Sequence, residues 1–312
     1  MLSYSVIGTG AVGGYYGGRL AESGRPVRFL ARGDARLLAE RGLTVHSPLG
    51  DFAIPKPEVF GDPALLPASD VLVVSLKTTA NSSLRDILAP SVRPGTAILV
   101  LQNGLGMEEE VASWFPEALV VGGMCFICAQ KRESCVVHHL DYGSVTLAPL
   151  DSRASGVLES IRADFEASRV PVTVSSSLGE ARWRKLLWNI PYNGLSVVLG
   201  RDTRELMDGT ASRRMVRLLM EEVVAGARAL GFGLADGDVD RMLDFTDRMT
   251  AYEPSMKLDA DAGRPMEIEY MYRRPLAAAR AAGARLGAIE LLAESLAWIE
   301  ESRGSAQSSS SR

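Results

Sequence analysis

The chain has 312 residues, more than one compact domain usually needs, with 46% hydrophobic and 23% charged residues. A net charge of −4 gives no basic footprint for nucleic acid, and no apolar run approaches a membrane span. Three cysteines, an odd number, argue against a disulfide framework; with an N-terminus that enters a core strand without a basic leader, a cytoplasmic location is expected.

An apolar run over residues 2–7 predicts the first strand. It delivers Gly8-Thr9-Gly10-Ala11-Val12-Gly13, with glycines in GxGxxG spacing. A helix over 11–23 follows, stopped by Gly24. Gly13, Gly14, Gly17 and Gly18 lie along it, a burden on a helix unless backbone must approach a ligand or a strand closely. The second strand, 27–31, is closed by Arg32. In a βαβ dinucleotide unit the residue ending that strand faces the adenosine ribose. A carboxylate there accepts from a 2′-hydroxyl, whereas a guanidinium suits a 2′-phosphate, so Arg32 points to NADP(H). The competing readings are a solvated Arg32, or Asp34 serving a ribose hydroxyl. Asp34 is also placed to cap a helix running to Glu40 and ended by Gly42.

Residues 70–76 and 96–101 form nearly continuous apolar strands, as in a parallel sheet covered on both faces. Lys77 ends the first and Gln102-Asn103-Gly104 ends the second. Ligands of open α/β sheets bind beyond the carboxyl ends of strands, the edge shared by the glycine turn, Arg32, Lys77 and Asn103. Further strands are expected over 120–129, 135–139 and 144–147, antiparallel pairing among them being one option. A helix over 157–168 and a last strand over 170–174 follow. Cys125 and Cys128 form a CxxC near Cys135, His138 and His139. A zinc site needs these to converge, but residues three apart on a strand face opposite ways, so core packing is the expectation and no metal is assigned.

Beyond 175–177 the pattern turns helical, with helices expected over 179–199, 209–230, 238–249, 266–282 and 287–301. The resulting division is a dinucleotide-binding domain over 1–176, a helical domain over 177–303 and a polar, disordered tail over 304–312. Lys185, Asn189 and Asn193, spaced i, i+4, i+8, share one helix face among Trp183, Leu186, Leu187 and Ile190. A polar outer face would favour Glu, Lys or Arg; two asparagines, poor helix formers, need another reason. Pro191 predicts a kink before the Asn193 turn. Ser255 is placed to cap a short helix, and Glu267 to start the next, where its carboxylate complements the dipole.

Taken together, Gly8 to Gly13, Ala31-Arg32-Gly33, Val74-Ser75-Leu76-Lys77, Gln102-Asn103-Gly104, Trp183 to Asn189 with Asn193, Ser255 to Asp259, and Glu267-Ile268-Glu269 resemble the 2-dehydropantoate 2-reductase (ketopantoate reductase) family over essentially the whole chain. The resemblance implies an α/β Rossmann-type domain followed by an all-helical domain like the C-terminal domain of 6-phosphogluconate dehydrogenase, with the active site in the cleft between them. By resemblance, Gly8, Thr9, Gly10, Ala11, Val12 and Gly13 hold the pyrophosphate, Arg32 takes the 2′-phosphate, and Lys77 lies near the cofactor. Asn103 touches cofactor and substrate, Asn189, Asn193 and Ser255 bind substrate, Lys185 is catalytic and Glu267 is paired with the catalytic site.

The implied reaction is NADPH-dependent reduction of 2-dehydropantoate to (R)-pantoate, with Lys185 stabilising and protonating the ketone oxygen. Thr203 stands where many members carry asparagine, and Tyr272-Arg273 where they often show Asn-Gly. Both places lie near the substrate end by resemblance and bear on which 2-keto acid is taken. The alternatives are a related reductase of another 2-keto acid, or a non-catalytic dinucleotide sensor. The partner expected is a small-molecule substrate, with neither nucleic acid nor membrane, and a homodimer is compatible with the apolar terminal helix.

Overall fold

Four-residue apolar runs become the centre of a sheet because both of their faces are covered. The computed structural model describes residues 1–310, with side chains through Arg303. It divides into two compact units, Met1–Gln102 with Met107–Leu178, and Asn103–Gly106 with Gly179–Arg312.

The first unit contains β1 (Tyr4–Ile7), α1 (Ala11–Glu22), β2 (Val27–Leu30), α2 (Ala35–Arg41), β3 (Leu43–His46), β4 (Phe52–Ile54), β5 (Glu58–Phe60), β6 (Val71–Val74), α3 (Asn81–Leu88), β7 (Ala97–Val100), α4 (Met107–Trp114), β8 (Leu119–Glu133), β9 (Val136–Pro149), α5 (Ser155–Ala167) and β10 (Val172–Val174). Its ten-stranded sheet has the order β4-β3-β9-β8-β7-β6-β1-β2-β5, with β10 against β9. The strands β5, β2, β1, β6, β7 and β8 run parallel, and every residue of β1, β6 and β7 is buried. Ile7 pairs with Leu30 and Val74, and Val74 with Val100, so these strands end in register. Gly8, the Arg32 turn, the Lys77 turn and Gln102 therefore leave the same sheet edge.

The expected α/β architecture is borne out, as a mixed rather than wholly parallel sheet. The segments expected as separate strands over 135–139 and 144–147 are one long strand, β9, antiparallel to β8. Tyr142 (φ 62°) and Gly143 (φ 110°) lie in the left-handed region beside a register shift, which lets the chain pass this point without leaving the sheet. Cys125, Cys128 and Cys135 are free and buried. Among the described residues no group of three or more His, Cys, Asp or Glu side chains is placed to hold a metal.

The second unit contains α6 (Leu178–Leu199), α7 (Thr203–Asp208), α8 (Thr210–Ala229), α9 (Asp236–Asp247), α10 (Ser255–Asp261), a π-helical turn (Glu269–Arg273), α11 (Arg274–Ala281) and α12 (Gly287–Ser310). The helix expected over 266–282 is this π turn followed by α11, and the backbone of α12 continues into the segment expected to be a disordered tail. Extending a formed helix fixes one residue per added bond, so weak formers can follow strong ones. Residues 311–312 lie outside the described residues. None of the helices is long and apolar enough to cross a membrane, among the described residues.

Candidate functional site

The three motif glycines answer three different demands. Gly8 has φ 100°, and a Cβ there would lie 2.8 Å from the Leu76 side chain. A Cβ on Gly13 would lie 2.0 Å from the Gly8 carbonyl oxygen and 2.2 Å from Ser75 Oγ. Gly10 has open space within 4 Å, so its backbone can be approached from outside. Gly10 is also the N-cap of α1, with no side-chain cap and no acidic residue in the first turn. Exposed N–H groups at a helix start favour a pyrophosphate, and the turn fits one. Thr9 is buried, while Ala11 and Val12 are half-buried. Ser75 Oγ donates to the carbonyls of Gly8 (2.7 Å) and Ile7 (3.2 Å), fastening the end of β6 to the turn.

Along the same edge, Arg32 is exposed and makes no hydrogen bond or ion pair among the described residues. Asp34 occupies the N-cap of α2, but its side chain does not cap the helix as expected. Its carboxylate instead binds the ammonium of Lys131, from β8, and accepts from Ser134 Oγ at 3.1 Å. Lys131 Nζ also donates to the Thr9 carbonyl at 2.9 Å. The cation beside it holds the Asp34 carboxyl below the usual carboxylate range. No sequence motif marked Lys131, whose importance comes from a strand pairing that places it beside the turn. Half-buried Lys77 precedes a 3₁₀ turn, Thr78–Ala80. That segment is pinned by Gln102 Nε2, which donates to the Leu76 carbonyl (2.9 Å) and Asn81 Oδ1 (2.8 Å).

In the helical unit the asparagine stripe is not an outer face. From Ala181 to Val197 only Arg184 and Lys185 escape burial, Arg184 exposed and Lys185 half-buried. Asn189 and Asn193 are 3% and 2% exposed. Asn189 Nδ2 donates to Asn103 Oδ1 at 3.3 Å. Asn193 Nδ2 donates to the Asn189 carbonyl (3.1 Å), and its Oδ1 accepts from the Met256 N–H (3.2 Å). Asn193 thereby caps α10 from a neighbouring helix. Ser255, expected as the cap, is the first residue of α10; Pro254 holds the N-cap position and offers no side-chain oxygen. Thus Asn103, Asn189, Asn193 and the Ser255–Met256 backbone form one hydrogen-bonded chain.

Asn103 belongs with this unit because Leu105 N–H donates to the Tyr270 carbonyl at 2.9 Å, and Gly104 (φ 111°) lets the two backbones meet. Arg274 donates to the Gly106 carbonyl (3.1 Å) and stacks over the Tyr270 ring. Glu267 is 3% exposed and sits at the entry to the π turn, its carbonyl accepting from Met271 N–H at 3.1 Å. Thr203 and Tyr272, expected to bear on substrate choice, are both engaged within the helical unit. Thr203 Oγ1 accepts from Tyr252 N–H (3.1 Å), and the enclosed Tyr272 hydroxyl donates to the Ile190 carbonyl (3.0 Å).

Against known proteins, the chain matches the family model for ketopantoate reductase PanE/ApbA over residues 4–152, and that for its C-terminal domain over residues 177–300. A 2-dehydropantoate 2-reductase of Nostoc sp. is 42% identical over 302 residues, covering 95% of each chain. The crystal structure of a 2-dehydropantoate 2-reductase from Geobacter metallireducens superposes with a TM-score of 0.92 at 41% identity, covering 95% of this chain and 99% of the other. A D-mandelate dehydrogenase solved with NADH and anilino(oxo)acetate shares the fold at a TM-score of 0.87 and 20% identity, covering 96% and 99%. The chain belongs to the ketopantoate reductase PanE/ApbA family.

Proposed function

We propose that this protein reduces 2-dehydropantoate to (R)-pantoate with NADPH. The observation that carries the reading is the hydrogen-bonded chain from half-buried Asn103 to Asn189 and Asn193, both buried on α6, the helix that bears Lys185. Polar groups enclosed in an apolar helix are retained where they orient something, and here they hold fixed donors and acceptors without adding charge.

When bound, the reduced nicotinamide supplies the hydride. The ammonium of Lys185 stabilises the ketone oxygen as negative charge grows there, and then gives it a proton. Asn189, Ser255 and Asn103 hydrogen-bond the hydroxy-keto acid, with Asn193 fixing the α10 start that carries Ser255. Glu267 keeps Lys185 charged and oriented or accepts from a substrate hydroxyl. Gly8 to Gly13 hold the pyrophosphate, Arg32 takes the 2′-phosphate, and Lys77 adds positive charge at the same strand edge. Three buried thiols without disulfides accord with a cytoplasmic setting.

Purified protein mixed with NADPH and a panel of 2-keto acids, followed by nicotinamide absorbance, tests the reading. Oxidation fastest with 2-dehydropantoate is the expected result. Faster oxidation with another keto acid reassigns the substrate, and none with any of them removes the enzymatic reading.

A further inference from the structure

We propose that Lys131 is a positioning residue that sets the preference for NADPH over NADH by neutralising Asp34. The inference rests on the NADPH reading above. Aspartate is among the best helix N-caps, yet Asp34 stands at the N-cap of α2 and turns its carboxylate away from the helix N–H groups. That carboxylate is held by the Lys131 ammonium and by Ser134 Oγ at the tip of the β8–β9 hairpin. Forgoing a local cap for a partner brought from a distant strand marks a site where another demand dominates.

The demand follows from what lies two residues away. Arg32 is exposed and carries no ion pair among the described residues. A 2′-phosphate brings roughly −1.5 to −2 charge near neutral pH. An unpaired Asp34 carboxylate would compete for the Arg32 guanidinium and repel that phosphate. It would also offer an acceptor to the 2′-hydroxyl of NADH. Pairing with Lys131 cancels the acidic charge and leaves the guanidinium available. The same ammonium donates to the Thr9 carbonyl at 2.9 Å, inside the glycine turn. That bond concerns the pyrophosphate common to both dinucleotides, so its loss weakens both alike. The ratio of the two affinities isolates the Asp34 contribution.

The test is fluorescence titration of NADPH and NADH into wild type, K131M, K131R, D34N and the K131M/D34N double variant, each checked by thermal unfolding. K131Q replaces K131M should the latter fail to fold. K131M is expected to lower the NADPH-to-NADH affinity ratio about tenfold, within the coupling usual for neighbours in one salt-bridge network. D34N in that background restores the ratio without recovering affinity common to both cofactors, and K131R keeps it near wild type. A wild type that prefers NADPH by a ratio that K131M, or K131Q in its place, leaves unchanged, or that D34N fails to restore, overturns this inference alone. A wild type that binds the two cofactors alike overturns the NADPH reading and this inference with it.

Discussion

At the residue scale, the glycine turn is constrained by close packing, whereas Arg32 stands exposed. Gly13 has no room for a methyl group against the Gly8 carbonyl and Ser75 Oγ. Gly13→Ala should therefore destabilise the fold by about 1–3 kcal/mol, the usual cost of overpacking, and abolish dinucleotide binding. Thermal unfolding with a parallel NADPH titration checks both, and wild-type binding by the variant would refute the packing argument. Arg32 is exposed and makes no hydrogen bond or ion pair among the described residues, so Arg32→Asp should unfold like wild type while its preference moves toward NADH. Unchanged discrimination would remove Arg32 as the phosphate reader. Tyr272 was expected to bear on substrate choice, yet its hydroxyl is enclosed against the Ile190 carbonyl. Tyr272→Phe should cost about 1 kcal/mol of stability and leave the order of keto-acid preference intact. A reordered substrate panel would show that this position selects substrate after all.

At the element scale, the β8–β9 hairpin and α6 each carry polar groups into apolar surroundings. In β9, His139 is buried, its Nδ1 accepting from Ser47 Oγ at 2.8 Å and its Nε2–H directed to the carbonyls of Asp141 and Tyr142 at 3.0 Å. Burial holds the imidazole below its ordinary value of 6.5. The unfolded chain then takes this proton first as pH falls. The His139 contribution is complete above about 6.5 and is lost progressively as pH drops from there toward the folded-state value. Urea midpoints at about pH 7.5 and about pH 5.5 should differ less in His139→Gln than in wild type. An equal difference in both would place the acid sensitivity elsewhere. In α6, the near-complete burial of the helix explains why its polar residues are informative. Spacing put Lys185, Asn189 and Asn193 on one face, but only the packing reveals Asn193 as a cap for α10.

At the scale of the whole molecule, what was legible in the sequence is what depends on local pattern. The runs Tyr4–Ile7, Val71–Val74 and Ala97–Val100 are buried on both faces and read as central strands, and the change to helical periodicity after residue 177 was equally plain. The strands Leu43–His46, Phe52–Ile54 and Glu58–Phe60 are too short for a period to emerge. The helices Asn81–Leu88 and Met107–Trp114 span only about two turns each, too few for a helical period to stand out. The Lys131–Asp34 pair and the docking of residues 103–106 against Tyr270 arise from long-range contacts that no local pattern announces. The proposed chemistry depends on the Lys185 ammonium, and Lys185→Ala, assayed for NADPH affinity by fluorescence and for keto-acid reduction by absorbance, tests it. Wild-type cofactor affinity is expected, with turnover lower by a factor of roughly 10²–10⁴, the share ordinarily carried by a positioned acid. Turnover near that of wild type would contradict the proposed chemistry.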